Sequence, residues 1–237
     1  MSTEQVTARP ATWDSDQGEA DMEKGHEPSW RALIEHIDER DLCGKSVLDY
    51  GCNRGGFLRL LYDLRSFERG VGVDIAVQSL DDAERRKGDI PVTYKHVDEL
   101  TAPDDAFDLA FSHEVIYLLP DLEAHARYIK QRLKESGIYY IAIGEYAENP
   151  LWERWKETVS SFSPVSPVTH SLQDIALAFR NEGFDVSVRR MVCDGFLPYD
   201  PTDTKYLQNP MELIKFMTEY MILFRMEKNR VEKKPGA

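Results

Sequence analysis

The chain has 237 residues, enough for one α/β domain of ordinary to large size. Hydrophobic residues make up 42% and charged residues 30%, which fits a packed core under a solvated surface, and no apolar run reaches the roughly 20 residues that span a bilayer. The net charge of -13 argues against binding a phosphate backbone, which calls for Lys and Arg gathered on one face.

The short cluster Arg85-Arg86-Lys87 reads as the solvated face of a helix. Cys43, Cys52 and Cys193 form no disulfide framework and lie at no metal-ligand spacing, so no metal is expected and a reduced, cytoplasmic setting fits. The polar, acidic N-terminus does not read as a secretory signal. The expected partner is a small molecule, with no nucleic acid and no membrane; monomer and homodimer both remain open.

Residues 1–27 are polar and read as an arm or lid before a domain over 28–237. Trp13 stands out there as a large aromatic expected to dock somewhere. Pro28 suits a first helical turn, followed by Trp30, Leu33, Ile34 and Ile37 at helical spacing. Ser46–Tyr50 predicts a buried strand, residues 57–64 a helix, and Val71–Ile75 a second strand carrying Asp74 near its end. A helix over 77–87, a strand over Pro91–Val97 and a strand over Phe107–Ser112 follow. Then come a helix over Asp121–Glu135 and an apolar strand over Gly137–Ile143.

Past Gly144 the rhythm changes. A helix is expected over 150–162, and another from an Ser171 N-cap to Asn181, with Asp174 at its third position and Gly183 closing it. Strands over Phe184–Val192 and Tyr220–Met226 flank a helix over 210–218. The segments 146–167 and 194–218 read as insertions near the active-site end of the sheet, with Tyr146, Trp152, Trp155, Phe162, Phe196 and Tyr199 as pocket or core aromatics. Strands alternating with helices predict an α/β fold: a Rossmann-like, doubly wound sheet of seven strands, mostly parallel with an antiparallel last strand.

The strongest motif is Val47-Leu48-Asp49-Tyr50-Gly51-Cys52-Asn53-Arg54-Gly55-Gly56, a glycine-rich turn between strand and helix. In such sheets ligands bind at the carboxyl ends of the strands. A dinucleotide fingerprint needs a glycine where Asn53 stands, because that glycine admits the diphosphate. Asp49 would repel a diphosphate but suits a ligand with an ammonium and a sulfonium. Charge therefore favours S-adenosyl-L-methionine (SAM) over NAD.

On these residues the chain, from about Trp30 to Met226, resembles the class I SAM-dependent methyltransferases. The resemblance implies that Asp49, Gly51, Cys52, Asn53 and Gly55 hold the methionine end of SAM, with Asn53 departing from the usual middle glycine. It implies that Asp74 takes the ribose hydroxyls, Ile75 packs on adenine, and Asp98 or Glu99 accepts the adenine amine. The run Phe111-Ser112-His113-Glu114-Val115 places the backbone of Ser112 and His113 beside the adenosyl group, and Glu114 reads as structural. His113 is the first candidate general base, with His26 and Tyr117 as alternatives. The expected activity is methyl transfer to an oxygen or nitrogen of a small molecule. The alternatives are a SAM-binding protein that transfers no methyl, an NAD-dependent oxidoreductase and an RNA methyltransferase; neither acceptor nor acceptor atom is legible.

Overall fold

A computed structural model describes residue 10, residues 12–101 and residues 106–229. Seven strands form one sheet: β1 (Ser46–Tyr50), β2 (Arg69–Asp74), β3 (Val92–His96), β4 (Phe107–His113), β5 (Leu133–Ile143), β6 (Phe184–Arg190) and β7 (Ile222–Lys228), in the order β3-β2-β1-β4-β5-β7-β6. The neighbours from β3 to β5 pair in parallel, and β7 runs antiparallel to both β5 and β6. This is the sheet the sequence predicts.

The helices are α1 (Asp16–His36), α2 (Gly56–Leu64), α3 (Val77–Arg86), α4 (Leu122–Arg132), α5 (Trp152–Ser160), α6 (Leu172–Asn181) and α7 (Pro210–Lys215). In α4 the buried Leu122, His125, Ala126 and Ile129 recur at helical spacing and meet the sheet. One apolar cluster joins α1, α2 and α3 to one face, through Leu33, Ile37, Phe57, Leu61 and Leu80. A second joins α4 and α6 to the other face, through Ile129, Ile175 and Phe179. Because β1 pairs with β2 on one side and β4 on the other, the chain reverses its winding at β1. That reversal opens a crevice at the strands' carboxyl ends.

The first helix begins at Asp16 and not at Pro28, which lies inside it. Of the arm expected over 1–27, residues 1–9 and 11 lie outside the described residues, and residues 16–27 are helix. Ser15 caps that helix by accepting from the Gly18 N–H, and Asp16 and Glu19 suit its positive end. Its polar face is held by ion pairs: Arg54 with Asp16, Glu19 and Asp82, and Glu23 with Arg59 and Arg86. The basic cluster is thus ion-paired, with Arg85 on Asp82 and Lys87 on Glu84.

Smaller corrections concern element ends. β5 begins at Leu133, taking residues expected in the preceding helix, and Ser136 sits at φ 61° within it. The last strand starts at Ile222 because Phe216–Tyr220 forms a π turn after α7. The N-cap at Ser171 is a full capping box with Asp174. Ser171→Ala should lower stability by about 1 kcal/mol, read as a lower urea midpoint at constant m-value; an unchanged midpoint would show that the cap contributes nothing.

Candidate active site

The turn after β1 is built by its glycines. Gly51 has φ 83° and Gly55 φ 71°, a region L side chains rarely enter. A β-carbon on Gly51 would lie 2.4 Å from Val115 Cγ2, and one on Gly55 would lie 2.4 Å from the Tyr94 ring. The N–H groups of Gly51 and Cys52 both donate to Val73 O on β2, fixing the turn against the neighbouring strand. Asn53 adopts φ 45°, which Asn tolerates better than most residues. Its own N–H donates to Asp74 Oδ2 at 2.9 Å.

Two carboxylates lie beneath this turn. Asp74 is buried and accepts four donors: Asn53 N on Oδ2, and Ile75 N (2.7 Å), Ala76 N (2.9 Å) and Trp13 Nε1 (2.9 Å) on Oδ1. Burial raises its pKa, and these bonds oppose the rise. Asp49 is also buried, yet its Oδ2 has no hydrogen-bond partner among the described residues. Burial, then repulsion by Asp74, push its pKa up to about 8. Cys52 is buried beside both acids and its thiol is pushed well up.

At the edge, Asp98 and Glu99 sit in a single 3-10 turn (Val97–Glu99) after β3. The Asp98 side chain is 71% exposed and lies 3.2 Å from His96 Nδ1. Ile75 is half-buried beside Asp74.

At the end of β4, the Ser112 hydroxyl turns into the core and accepts from Tyr139 OH at 2.7 Å, itself 3.0 Å from His125 Nε2. His113 points the other way, to α1. Its Nε2 lies 2.8 Å from Ser29 Oγ, and Ser29 gives its single hydroxyl proton to His26 O. With the Ser29 proton directed at His26 O, Ser29 Oγ accepts from His113 and the imidazole proton sits on Nε2. Nδ1 is left with a lone pair, buried and without a hydrogen-bond partner among the described residues. His26 and Trp30 pack edge-on against the ring, at 4.8 and 6.2 Å between centroids. Burial, then His26, pull the His113 pKa well below its usual value, and burial alone takes His26 to about 4. His113 stays neutral at physiological pH.

Beside it the structure joins Glu114 and Tyr117, which the sequence singled out, to Glu145 and Tyr206, which it did not. Glu114, at φ 58°, and Glu145, just past β5, are hydrogen-bonded to each other, and burial raises both pKa values. Tyr117 and Tyr206 feel both acids. Of the pocket aromatics, Trp152 and Trp155 are core, packed with Tyr117, Tyr206 and Phe216, and Tyr146 is core as well. Phe196 is fully exposed and lines nothing. A groove of about 700 Å³ between α1, α2 and α3 reaches the end of the turn at Arg54 and Gly56 and is walled by the ion pairs of Glu23, Arg54 and Arg86.

This sheet, with its last strand antiparallel, is the fold of the class I SAM-dependent methyltransferases. The chain belongs to the family described as methyltransferase domain, which matches residues 22–187. Over 116 residues it is 32% identical to the ubiquinone biosynthesis O-methyltransferase of Neisseria meningitidis, covering 46% of this chain and 48% of that one. Over 202 residues it is 27% identical to the phosphoethanolamine N-methyltransferase of Triticum aestivum, covering 81% of this chain and 37% of that one. The matches thus span about half of the first relative and over a third of the second. Among solved structures, the methyltransferase in complex with the Haloferax volcanii Trm112 activator shares the fold, with a TM-score of 0.77 at 21% identity, over 91% of this chain and 96% of that one.

The residues fit the family's methyl donor, SAM. An unpartnered buried carboxylate and a turn that a β-carbon would fill suit a cationic nucleoside. Asp49 holds a proton in the folded free chain that the unfolded chain releases, so it costs stability as pH rises from the usual carboxylate range to about 8. Asp49→Asn should therefore raise the Tm of the free chain at neutral pH, at roughly 2–4 °C per kcal/mol. The same variant should weaken SAM binding by about tenfold or more. Thermal scans and calorimetric titration check both; a lower Tm with unchanged affinity would contradict this reading.

Proposed function

We propose that this chain transfers a methyl group from SAM to an oxygen or nitrogen of a small molecule in the cytoplasm. The observation that carries the proposal is the buried, unpartnered Asp49 carboxylate beside Asp74 at the glycine turn. Asp49, Gly51, Cys52, Asn53 and Gly55 hold the methionine end. Asp74 takes the ribose hydroxyls, Ile75 flanks adenine, and Asp98 or Glu99 accepts its amine. The backbone at Ser112 and His113 lies beside the adenosyl group.

The bound sulfonium supplies an electrophilic methyl. The chain's own residues align the acceptor for in-line attack and exclude water, which accounts for much of the rate. His113 receives the acceptor's proton at Nδ1, the nitrogen that Ser29 leaves bare. Its lowered pKa makes it a weak base that is always unprotonated at neutral pH. The Glu114–Glu145 pair, with Tyr117 and Tyr206 nearby, supports a nitrogen acceptor over an oxygen, because carboxyl oxygens accept hydrogen bonds from an amine.

Labelled SAM offered with a panel of amines and hydroxyl compounds tests the activity; a chain that binds SAM and labels none of them is a binding protein. Asp74→Ala should weaken binding of the demethylated product, S-adenosylhomocysteine, by roughly 10- to 150-fold, the equivalent of about 1.5–3 kcal/mol. Unchanged affinity would remove the ribose role. His113→Ala should lower kcat by roughly 10²-fold or more while product affinity changes little. Equal losses in both would make His113 a wall of the cofactor site.

A further inference from the structure

The donors on Asp74 leave room for one ribose hydroxyl, on Oδ2, and not for two: Oδ2 takes a single donor, and Oδ1 already takes three. A carboxylate offers about four lone-pair sites. Asp74 already accepts four donors, three of them on Oδ1, and three of the four are backbone N–H groups of the turn and of the start of α3. Those three are fixed by the fold. The fourth is the indole N–H of Trp13, from the segment before α1. A ribose diol brings two donors to the same carboxylate, so the exchangeable partner is the one that must go.

The segment carrying Trp13 is anchored on both sides of the indole. Pro10 O accepts from Val77 N at 3.1 Å, at the first turn of α3, where Ala76 offers no side-chain cap. Trp13 N and Asp14 N both donate to Glu19 Oε1, at 2.8 and 3.4 Å. Glu19 is buried and also accepts from Ser79 Oγ. α1 itself is tied to α2 and α3 by the ion pairs of Arg54, Arg59 and Arg86. The backbone around Trp13 is thus held over the crevice while the indole remains free to exchange one hydrogen bond.

Resting on the proposed ribose role of Asp74, we infer that Trp13 is an internal competitor for the cofactor. In the free chain its indole N–H fills the place of a ribose hydroxyl on Asp74 Oδ1, and the nucleoside must displace it to bind. The contact adds a fourth donor to a buried carboxylate that three backbone N–H groups already hold. After methyl transfer its return helps expel the demethylated nucleoside. Binding is then weakened by the fraction of chains in which the indole is docked.

Trp13→Phe keeps an apolar ring and removes the donor. Titrated calorimetrically with S-adenosylhomocysteine as the full chain, it should bind about tenfold tighter than wild type, as expected if the docked form outweighs the open form by that ratio. In ¹⁵N-labelled wild type, the Trp13 indole N–H is assigned as the one of four tryptophan signals lost in the variant. It should be protected from exchange in the free chain and lose protection at saturation. Unchanged or weaker binding by Trp13→Phe, or an indole that stays protected in the complex, would overturn the inference. Asp74→Ala separates the two claims. If Asp74→Ala binds the nucleoside as tightly as wild type, the ribose role falls and the competition with it. If Asp74→Ala is weakened while Trp13→Phe is unchanged, the competition alone falls.

Discussion

Two buried carboxylates at adjacent strand ends set the terms for the crevice. The parallel register brings Asp49 on β1 opposite Gly72 on β2, so that Asp74 follows just beyond, under the same glycine turn. Burying one charge without a partner is costly, and burying two close together is more so. The fold meets the cost unevenly. Asp74 is given four donors, whereas Asp49 is left with an empty oxygen and answers by holding its proton to about pH 8. A cation at the turn would let Asp49 release that proton and ionise; a diphosphate would keep it protonated. The backbone conformation of Gly51 and Gly55 and the bond from Asn53 to Asp74 fold the turn tightly over these two acids.

The other half of the crevice, at the ends of β4 and β5, is arranged by hydrogen bonding rather than by charge. The Ser29 hydroxyl lies between the His26 carbonyl and His113 Nε2, so its orientation sets the tautomer of His113. α1 therefore fixes the His113 ring as well as packing on the sheet. It also carries the acids that pair with Arg54, in the glycine turn itself. Glu114 and Glu145, hydrogen-bonded to each other and both raised in pKa by burial, lie just past the ends of β4 and β5.

What the sequence makes legible is what depends on neighbours along the chain. The glycine turn, the acids at strand ends, the seven strands and the Ser171–Asp174 cap all follow from local spacing and local chemistry. What depends on distant partners is hidden. The first half of α1 looks like a polar tail because the arginines that satisfy its acids lie in the glycine turn, α2 and α3. Trp13 is marked by its size as a residue that docks, but nothing near it in the sequence points to Asp74. Glu145 is invisible as a partner of Glu114 until β4 and β5 are laid side by side. Trp152 and Phe196 look alike in composition; one is fully buried and the other fully exposed, because only the first meets Tyr117 and the residues around Tyr206.

The most direct test of the charge argument is calorimetric titration of the full chain with SAM and, separately, with NAD. Micromolar binding of SAM, tightening as pH rises toward 8 while NAD gives no heat, is the result expected from an ionising Asp49. Micromolar binding of NAD with no response to SAM would contradict the account at its root.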